Sequence, residues 1–254
     1  MCCFSQPVVS VSATNIFARP ADEGRQFLVY SMTLNARKDL AMVLPLPVKA
    51  GTDEKGVNFI DLSGYSEFFD DLLSGFPVPR TAGETFSRGS APPVAAATRL
   101  EVVKVGNFEA SFVPTLKDFP RLDERFRVSD AAWQQLPDYR DYGFAVFKLK
   151  SGEAKIHPMA FSFPRRNAKT LFFPTVHIHD GKVHSKARFD HALYCQPSES
   201  ERPTIHDWQE SFADARRFMK ADKTKGLIVA DQHCYQKKLR GMLPNRDTVV
   251  GTFA

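Results

Sequence analysis

The sequence predicts an α+β protein built mainly from antiparallel β-sheet, with a few peripheral helices. Short segments of alternating apolar and polar residues recur along most of the chain, which is the period of strands with one buried face. Turn pairs such as Gly106-Asn107 and Ser151-Gly152 join neighbouring segments and favour hairpins. The preferred interpretation is one domain over residues 1–254, with the segment 76–98 as the alternative internal boundary.

The first third of the chain is predicted to form strands. Residues 8–13 and 15–18 alternate, and residues 25–34 place Leu28, Tyr30, Met32 and Leu34 on one face. Residues 39–48 are more continuously apolar than the segments before them, but Pro45 and Pro47 each lack a backbone donor. The second half of that segment is therefore predicted to be an edge strand or an extended exit from the sheet.

The rest of the chain alternates between further strands and a few helices. Apolar residues at helical spacing predict a helix over 65–74 that ends before Gly75, and Trp208, Phe212, Ala215 and Met219 predict another that begins at Thr204. A third, short helix is predicted over 129–136. Further strands are predicted over 99–105, 108–113, 143–149, 155–163, 170–173 and 226–230. The Pro- and Gly-rich segment 76–98 is predicted to be a long loop of a mobile or functional kind.

Composition and charge exclude several classes of protein. The chain is 43% hydrophobic and carries 34 basic against 29 acidic residues, so a disordered or strongly acidic protein is excluded. A formal charge of +5 is too small for a dedicated nucleic-acid binder. From residue 211 onward nine basic residues accompany four acidic ones, an excess equal to that of the whole chain. That region is either a solvated surface or a footprint for an anionic partner.

The expected compartment is the cytoplasm. No signal peptide is recognisable at the N-terminus, and the apolar runs are shorter than the ~20 residues that a membrane span needs. The four cysteines, at positions 2, 3, 195 and 234, form no Cys-x-x-Cys pair. We therefore expect a soluble protein with reduced thiols and without a membrane partner.

Residues 176–184 carry the chemically most informative pattern, because three histidines flank an Asp180-Gly181 turn signal. With these two residues as the hairpin loop, His177 pairs with His184, and His177, His179 and His184 share one face. Three imidazoles predict a site for zinc, copper or iron, with hydrolytic or redox chemistry at an open position. His191 and Cys195 are predicted as further ligands or supporting groups, and His157 as a more distant one.

Two alternatives for this face stay open at this stage. In the first, the histidines point to water while Ile178 and Val183 form the buried face. In the second, the face lines a polar pocket that holds no metal. Thiolates from Cys2, Cys3, Cys195 or Cys234 are also considered as ligands, and they would favour zinc or copper(I).

The N-terminal cysteines predict a second chemistry. If Met1 is removed, Cys2 combines a thiol with a free amine that serves as general base, as in N-terminal nucleophile hydrolases. The run Phe17-x-Arg19-x-x-Asp22 resembles the segment after the catalytic cysteine of the choloylglycine hydrolase group, with a spacing that fits Cys3. The structural alternative is that Cys2 and Cys3 are small apolar residues of a strand.

The order of several segments resembles a family of uncharacterised bacterial proteins with a domain of unknown function. The resemblance is carried by Cys2-Cys3-Phe4, by 15–18, by Leu44-Pro45-Leu46-Pro47, by 142–149 and by His157-Pro158-Met159. It implies a β-rich fold and transfers no catalytic residues. A third functional class, a non-catalytic binding or scaffold protein that uses the segment 76–98 as its contact surface, therefore stands beside the two enzymatic hypotheses.

Overall fold

Two β-sheets form most of the molecule in a computed structural model that describes residues 2–76, 102–106, 108–122, 127, 137–179, 182–199 and 201–251. The strands are β1 (Cys2–Phe4), β2 (Ser10–Ala21), β3 (Arg25–Ala36), β4 (Leu40–Leu46), β5 (Asn58–Asp61), β6 (Val103–Val105), β7 (Phe108–Val113), β8 (Gly143–Leu149), β9 (Gly152–Pro164), β10 (Thr170–Phe173), β11 (His177–Ile178), β12 (Lys186–Cys195), β13 (Gln209–Glu210), β14 (Tyr235–Pro244) and β15 (Thr248–Gly251). The helix α1 spans Phe68–Ser74. Short 3-10 helices lie at Asp22–Gly24, Leu116–Arg121, Pro137–Tyr139, Arg202–Thr204, Ala215–Arg217 and Ala221–Thr224.

The strands form two large sheets and one two-stranded ribbon. The six-stranded sheet has the order β11-β1-β4-β8-β7-β6, the seven-stranded sheet has the order β13-β14-β12-β2-β3-β9-β5, and β10 pairs with β15. Most pairs are antiparallel, whereas β1 pairs with β11 and β2 with β12 in parallel. The fold is thus β-rich as predicted, with sheets that are mixed rather than purely antiparallel.

The main core lies between the two large sheets. Leu28 and Tyr30 of β3 and Phe161 of β9 pack there against Met42 of β4 and Phe147 of β8. Because successive strand residues point to opposite faces, the inward positions of β3 are the even-numbered ones. The alternation predicted for residues 25–34 is therefore confirmed.

Each sheet is also covered on its outer face. Val29 of β3 and Phe17 of β2 pack with Phe68, Phe69 and Leu72 of α1. The predicted helix is confirmed, although it begins at Phe68 rather than at residue 65. On the outer face of the six-stranded sheet, a separate cluster includes Cys3, Val43, Val113, Phe144, Val176 and Ile178.

Pro45 of β4 lies where the sequence predicts an edge, and Pro47 follows the end of the strand. On one side β8 pairs with β4 along its whole length, and Pro45 is opposite Phe144. On the other side β1 covers only Met42 and Val43. The part of β4 that contains Pro45 consequently has a strand partner on one side alone, where a missing backbone donor is tolerated.

Two C-terminal elements were predicted wrongly. The segment that begins at Thr204 forms no α-helix: its backbone bonds across to the segment 230–234 instead, with Ser211 N–H donating to the Cys234 carbonyl at 2.8 Å and Ala215 N–H to the Gln232 carbonyl at 2.9 Å. Phe212, which the helical stripe would bury, is 61% exposed. Residues 226–230 form turns, and the strands of this region are β14 and β15.

Several predicted elements lie outside the described residues. They are the short helix over 129–136, the loop over 76–98 apart from Phe76, and the turn residues Asn107, Asp180 and Gly181. In the part of the chain that the structure does describe, no helix combines the length and the apolar character that a membrane span requires.

Candidate functional site

Three histidines meet where the edge of the six-stranded sheet faces β12 of the other sheet. Ile178 of β11 packs on the outer face of its sheet, so the flanking His177 and His179 project to the opposite, inner face. His191 of β12 lies on the same face as Leu193 and Cys195, which belong to the main core. The two sheets therefore bring side chains together that are far apart in the sequence.

The ring of His177 contacts two other imidazole rings, and we call His177, His179 and His191 the histidine cluster. The ring centroid of His177 lies 4.8 Å from that of His179 and 4.7 Å from that of His191. His177 Nδ1 is 3.1 Å from His179 Nε2. Phe189 packs edge-on against His177 at 4.6 Å, and Phe4 lies 5.7 Å from His179. The aromatic neighbours give the cluster an apolar wall.

The cluster holds buried polar atoms that lack partners. His177 is 8% exposed and His191 is 2% exposed, whereas His179 is half-buried. His177 Nε2 and His191 Nδ1 have no hydrogen-bond partner among the described residues, nor has the hydroxyl of Thr14. Thr14 pairs with His191 in the parallel register of β2 and β12, so it lies beside that ring. A buried polar atom without a partner costs about 1–3 kcal/mol, which marks this as a place where a ligand or water would stabilise the fold.

Burial keeps two of these imidazoles neutral. It lowers the pKa of His177 to about 3 and that of His191 to about 2, because a charged ring is poorly solvated there. The neighbouring histidines add to both shifts by charge repulsion. At neutral pH both rings are therefore in the form that coordinates a metal ion.

Two polar residues after β14 hold the segment that carries His177. Asn245 accepts a hydrogen bond from His177 N–H at 2.7 Å and donates to the His177 carbonyl at 2.9 Å. Asp247 Oδ1 accepts from the N–H groups of Thr175 and Val176 at 2.8 and 3.0 Å. Its other oxygen accepts from the Tyr139 hydroxyl at 2.5 Å, and burial together with this carboxylate raises the pKa of Tyr139. No motif in the sequence predicts a role for either residue, and their region is predicted only to carry an excess of positive charge.

The hairpin that was predicted to assemble the site does not pair as expected. His177 has Cys2 of β1 as its strand neighbour instead of His184. His184 is exposed, and its carbonyl accepts from Asn245 Nδ2 at 2.9 Å. The structure thus replaces His184 with His191 in the group of three. The alternative in which the histidines point to water is wrong for His177, which is buried.

The other predicted ligands lie elsewhere. Cys195 is on the same strand as His191, but four residues of extended chain separate the two by about 13 Å. His157 is on β9, three strand spacings from β12 and hence about 14 Å away in the sheet, where it stacks on Phe108 at 4.0 Å. Neither residue joins the histidine cluster.

The cysteines are placed in three different surroundings. The backbone of Cys2 is in register with His177, while the Cys3 side chain is buried with Val43 and Ile178 on the outer face. Cys195 and Cys234 are buried free thiols, and burial raises the pKa of both, that of Cys234 to about 12. These two thiols are therefore protonated at neutral pH and are poor nucleophiles.

The histidine cluster is not preformed as a complete ligand set. In the described parts of the chain, no three His, Cys, Asp or Glu side chains stand in a geometry that would hold a metal ion as they are. The two nitrogens of His177 and His179 at 3.1 Å come nearest to it. A third ligand would require the ring of His191 to turn within its pocket.

Comparison with known proteins found solved structures that are similar to this chain at TM-scores below 0.5. No protein-family model matches the chain. It is similar to the crystal structure of baculovirus P35, with a TM-score of 0.45 and 15% identity over 96% of this chain and 97% of that chain. It is also similar to a mutated baculovirus P35 after caspase cleavage, with a TM-score of 0.48 and 14% identity over 96% and 99% of the two chains. A chain of the caspase-8/P35 complex gives a TM-score of 0.49 and 14% identity over 95% and 96%.

Proposed function

We propose that this protein binds a first-row transition-metal ion, such as zinc, copper or iron, at the histidine cluster. The observation that carries the proposal is the pair of buried ring nitrogens without partners, His177 Nε2 and His191 Nδ1, in neighbouring rings. Neutral imidazole is a ligand for these metals, and coordination would satisfy nitrogens that are otherwise left unpaired.

The spacing of the nitrogens supports the same proposal. Two nitrogens that bind one tetrahedral ion at about 2.0–2.1 Å lie about 3.3 Å apart. His177 Nδ1 and His179 Nε2 are separated by 3.1 Å, which is close to that value. One imidazole binds an ion through only one of its nitrogens, so this pair is an alternative to coordination through His177 Nε2 and His191 Nδ1. A small rotation of the two rings would let His177 Nδ1 and His179 Nε2 bind a metal ion together.

The surroundings indicate what a bound ion would do. His179 is the least buried of the three rings, so the ion would have its open position on that side. Three protein ligands with an open position are typical of a catalytic metal, which activates water or acts as a Lewis acid. Thr14, buried beside His191, supplies a hydroxyl that would bond to a metal-bound water. Hydrolytic chemistry is therefore preferred within the proposal.

Metal analysis of the purified protein tests the proposal directly. Untagged protein is analysed by inductively coupled plasma mass spectrometry, and metal-free protein is then titrated with Co²⁺ while the visible d–d bands of a tetrahedral site are recorded. We expect close to one ion per chain and bands that zinc displaces. Protein that contains no metal and gives no Co²⁺ bands would overturn the proposal.

Matched variants separate the cluster from the predicted hairpin site. His179→Ala and His191→Gln should lose the Co²⁺ bands, whereas the exposed His184→Ala should keep them. Circular dichroism of each variant checks that the fold is retained. Loss of the bands in His184→Ala, with the bands of His191→Gln unaffected, would show that the ligands are His177, His179 and His184. That result would contradict metal binding at the histidine cluster.

A second candidate function is a thiol hydrolase that uses Cys2. The specific observation that favours it is the parallel register of β1 and β11, which places the Cys2 backbone opposite His177. His177 itself would be a weak general base, since burial lowers its pKa to about 3. The free amine of Cys2 would have to take that role after removal of Met1.

Mass spectrometry tests this second candidate. The side chains of Cys3, Cys195 and Cys234 are buried, so a thiol that reacts with iodoacetamide in the native protein should be Cys2. We expect the native protein to gain one label, and Cys2→Ser to gain none. Retention of Met1 in the intact mass, or equal labelling of Cys2→Ser, would count against the hydrolase.

A further inference from the structure

The strand β14 has one open edge. On one side it pairs with β12 over all ten residues, from Tyr235 opposite Cys195 to Pro244 opposite Lys186. On its other side β13 pairs only with Tyr235 and Gln236. None of the described residues pairs with that side of β14 beyond Gln236. We call residues 237–244 on this side the open edge.

The hydrogen-bond pattern shows which backbone groups face outward at the open edge. Asn245 N–H donates to the Ser185 carbonyl, in register with the pairing of β14 and β12. Because such bonds alternate along an antiparallel pair, odd-numbered residues bond to β12 and even-numbered ones face away. The Cys234 carbonyl accepts from Ser211 N–H, on the side away from β12, as expected for an even-numbered residue. The N–H and carbonyl groups of Lys238, Arg240 and Met242 therefore point outward from the sheet.

Positive charge lies along the same edge. The side chains of Lys238 and Arg240 share a face with Lys186 and Arg188 of β12, since Arg188 is opposite Met242 and the residues alternate. All four are exposed, and none forms an ion pair with another described residue. The acidic residue on this face, Asp190, accepts a hydrogen bond from Ala13 N–H. The basic excess noted in the C-terminal sequence is thus concentrated in part beside unpaired strand backbone.

We propose that the open edge binds an extended acidic segment of a partner protein, which adds to the sheet as a further strand. Unpaired backbone groups would supply hydrogen bonds to the added strand. Carboxylates at alternate positions of that strand would lie opposite Lys238 and Arg240, within the 4.5–5.5 Å that is usual for cross-strand pairs. A peptide fits better than a nucleic acid, because the hydrogen bonds of a strand edge match another peptide backbone in register. The proposal is independent of the histidine cluster.

Fluorescence anisotropy tests the proposal with a defined probe. The probe is a fluorescein-labelled peptide in which Glu alternates with Val and Thr, and the comparison peptide has the same net charge but Pro at every third position, which prevents strand pairing. We expect the first peptide to bind at low salt and more weakly as salt increases, and the proline-containing peptide not to bind. No binding of the alternating peptide at low salt would overturn the proposal. The basic residues would then serve only to prevent the edge from pairing with another copy of the chain.

Two pairs of variants separate charge from backbone pairing. Lys238→Glu/Arg240→Glu should weaken binding by about tenfold or more, whereas the charge-matched control Lys49→Glu/Lys104→Glu, on exposed residues elsewhere, should not change it. Met242→Pro removes an outward N–H without altering charge, and should weaken binding relative to Met242→Thr. Thermal unfolding of each variant checks the fold.

The pattern across these variants decides between two kinds of partner. If the charge reversals abolish binding while Met242→Pro and Met242→Thr bind equally, the surface is a general polyanion site and strand addition is wrong. A single-stranded oligonucleotide of equal charge serves as the parallel probe. Tighter binding of that oligonucleotide than of the alternating peptide would likewise overturn the proposal.

Discussion

The side chain of Asn245 forms two hydrogen bonds with the backbone of His177. It accepts from the His177 N–H at 2.7 Å and donates to the His177 carbonyl at 2.9 Å. The same amide nitrogen also donates to the His184 carbonyl at 2.9 Å. One side chain thereby replaces the missing half of the hairpin that the sequence predicts. The position of the His177 ring depends on this contact, because β11 is two residues long and at the edge of its sheet.

Replacement of Asn245 should therefore loosen the histidine cluster. Asn245→Ala leaves a buried N–H and carbonyl without partners, and we expect the free energy of unfolding to fall by about 2 kcal/mol. Asn245→Asp keeps the acceptor for His177 N–H but places a charged oxygen against the His177 and His184 carbonyls, which accept from the Asn245 amide at 2.9 Å, and it should lose at least as much at neutral pH. Urea denaturation at neutral pH measures both effects. Asn167→Ala, which removes one local bond to Lys169 N–H, is the control and should change stability less than Asn245→Asp does.

The stability of the protein should fall in mild acid. Burial lowers the pKa of His177 to about 3 and of His191 to about 2, so below the ordinary value of about 6.5 the unfolded chain binds protons that the native chain does not. The free energy of unfolding should consequently drop between about pH 7.5 and about pH 5, by about 2 kcal/mol for each histidine.

Denaturant titrations at several pH values test this dependence. His191→Leu should flatten the curve in this range, and the exposed His206→Gln should leave its slope as in the parent protein. A curve that has the same slope with Leu at position 191 would show that His191 is not buried in its neutral form.

The buried ion pair between Arg165 and Glu201 should be sensitive to the loss of either charge. Arg165 Nη1 donates to Glu201 Oε1 at 2.7 Å, and the two side chains are 8% and 0% exposed. Glu201 also accepts from the N–H and hydroxyl of Ser198, each at 2.7 Å. Glu201→Gln would leave the guanidinium buried without a counter-charge and should destabilise the protein by about 3 kcal/mol.

An exposed ion pair provides the comparison. Lys155 Nζ lies 2.8 Å from Asp70 Oδ2 at the surface, and Lys155→Met should cost less than about 1 kcal/mol. Chemical denaturation measures both variants under the same conditions. Equal effects of the two substitutions would show that the Arg165 site is open to water.

Gly143 is closely packed against its neighbours, so a larger residue at this position should destabilise the protein. A Cβ at this position would lie 2.5 Å from the ring of Phe112 and 3.1 Å from Val48, so Gly143→Ala forces the ring to move. We expect a loss of about 1–3 kcal/mol, the usual range for overpacking. Gly64→Ala meets no atom within 4 Å and should change stability by less than about 0.5 kcal/mol. Thermal unfolding of the two variants provides the measurement.

Local patterns predicted the strands well where both faces of a strand are filled in a regular way. In β3 the even-numbered residues from Leu28 to Leu34 face the main core and Val29 faces α1, so a period of two is clear. In β14 the pattern is hidden, because the exposed Lys238 and Arg240 alternate with half-buried residues and Gly241 interrupts them with φ +90°. The helix predicted from Thr204 had the right spacing of apolar residues, but hydrogen bonds to the segment 230–234 fix that backbone in another form.

The histidine cluster was predicted in part for a related reason. Spacing alone placed His177 and His179 on one face, since they are two residues apart on an extended segment. The same spacing predicted that His177 pairs with His184 across a turn. The observed contact of His177 with His191 depends instead on how the two sheets pack against each other. A polar run such as Asn245 to Asp247 after a strand was the available signal for the residues that hold the site, and its side-chain partners lie about 70 positions earlier in the chain.

The two parallel strand pairs have a consequence for how the chain is made. β1 pairs in parallel with β11, and β2 with β12. These two pairings can form only after the chain has been synthesised as far as Cys195. At a synthesis rate of about 5–20 residues per second, the N-terminal strands stay without these neighbours for roughly 10 to 40 seconds on the ribosome. Such distant pairings also slow folding, because a large loop must close before the contacts form. The antiparallel neighbours of these strands, β4 and β3, are made soon after them, so the two parallel pairings are the ones that form late.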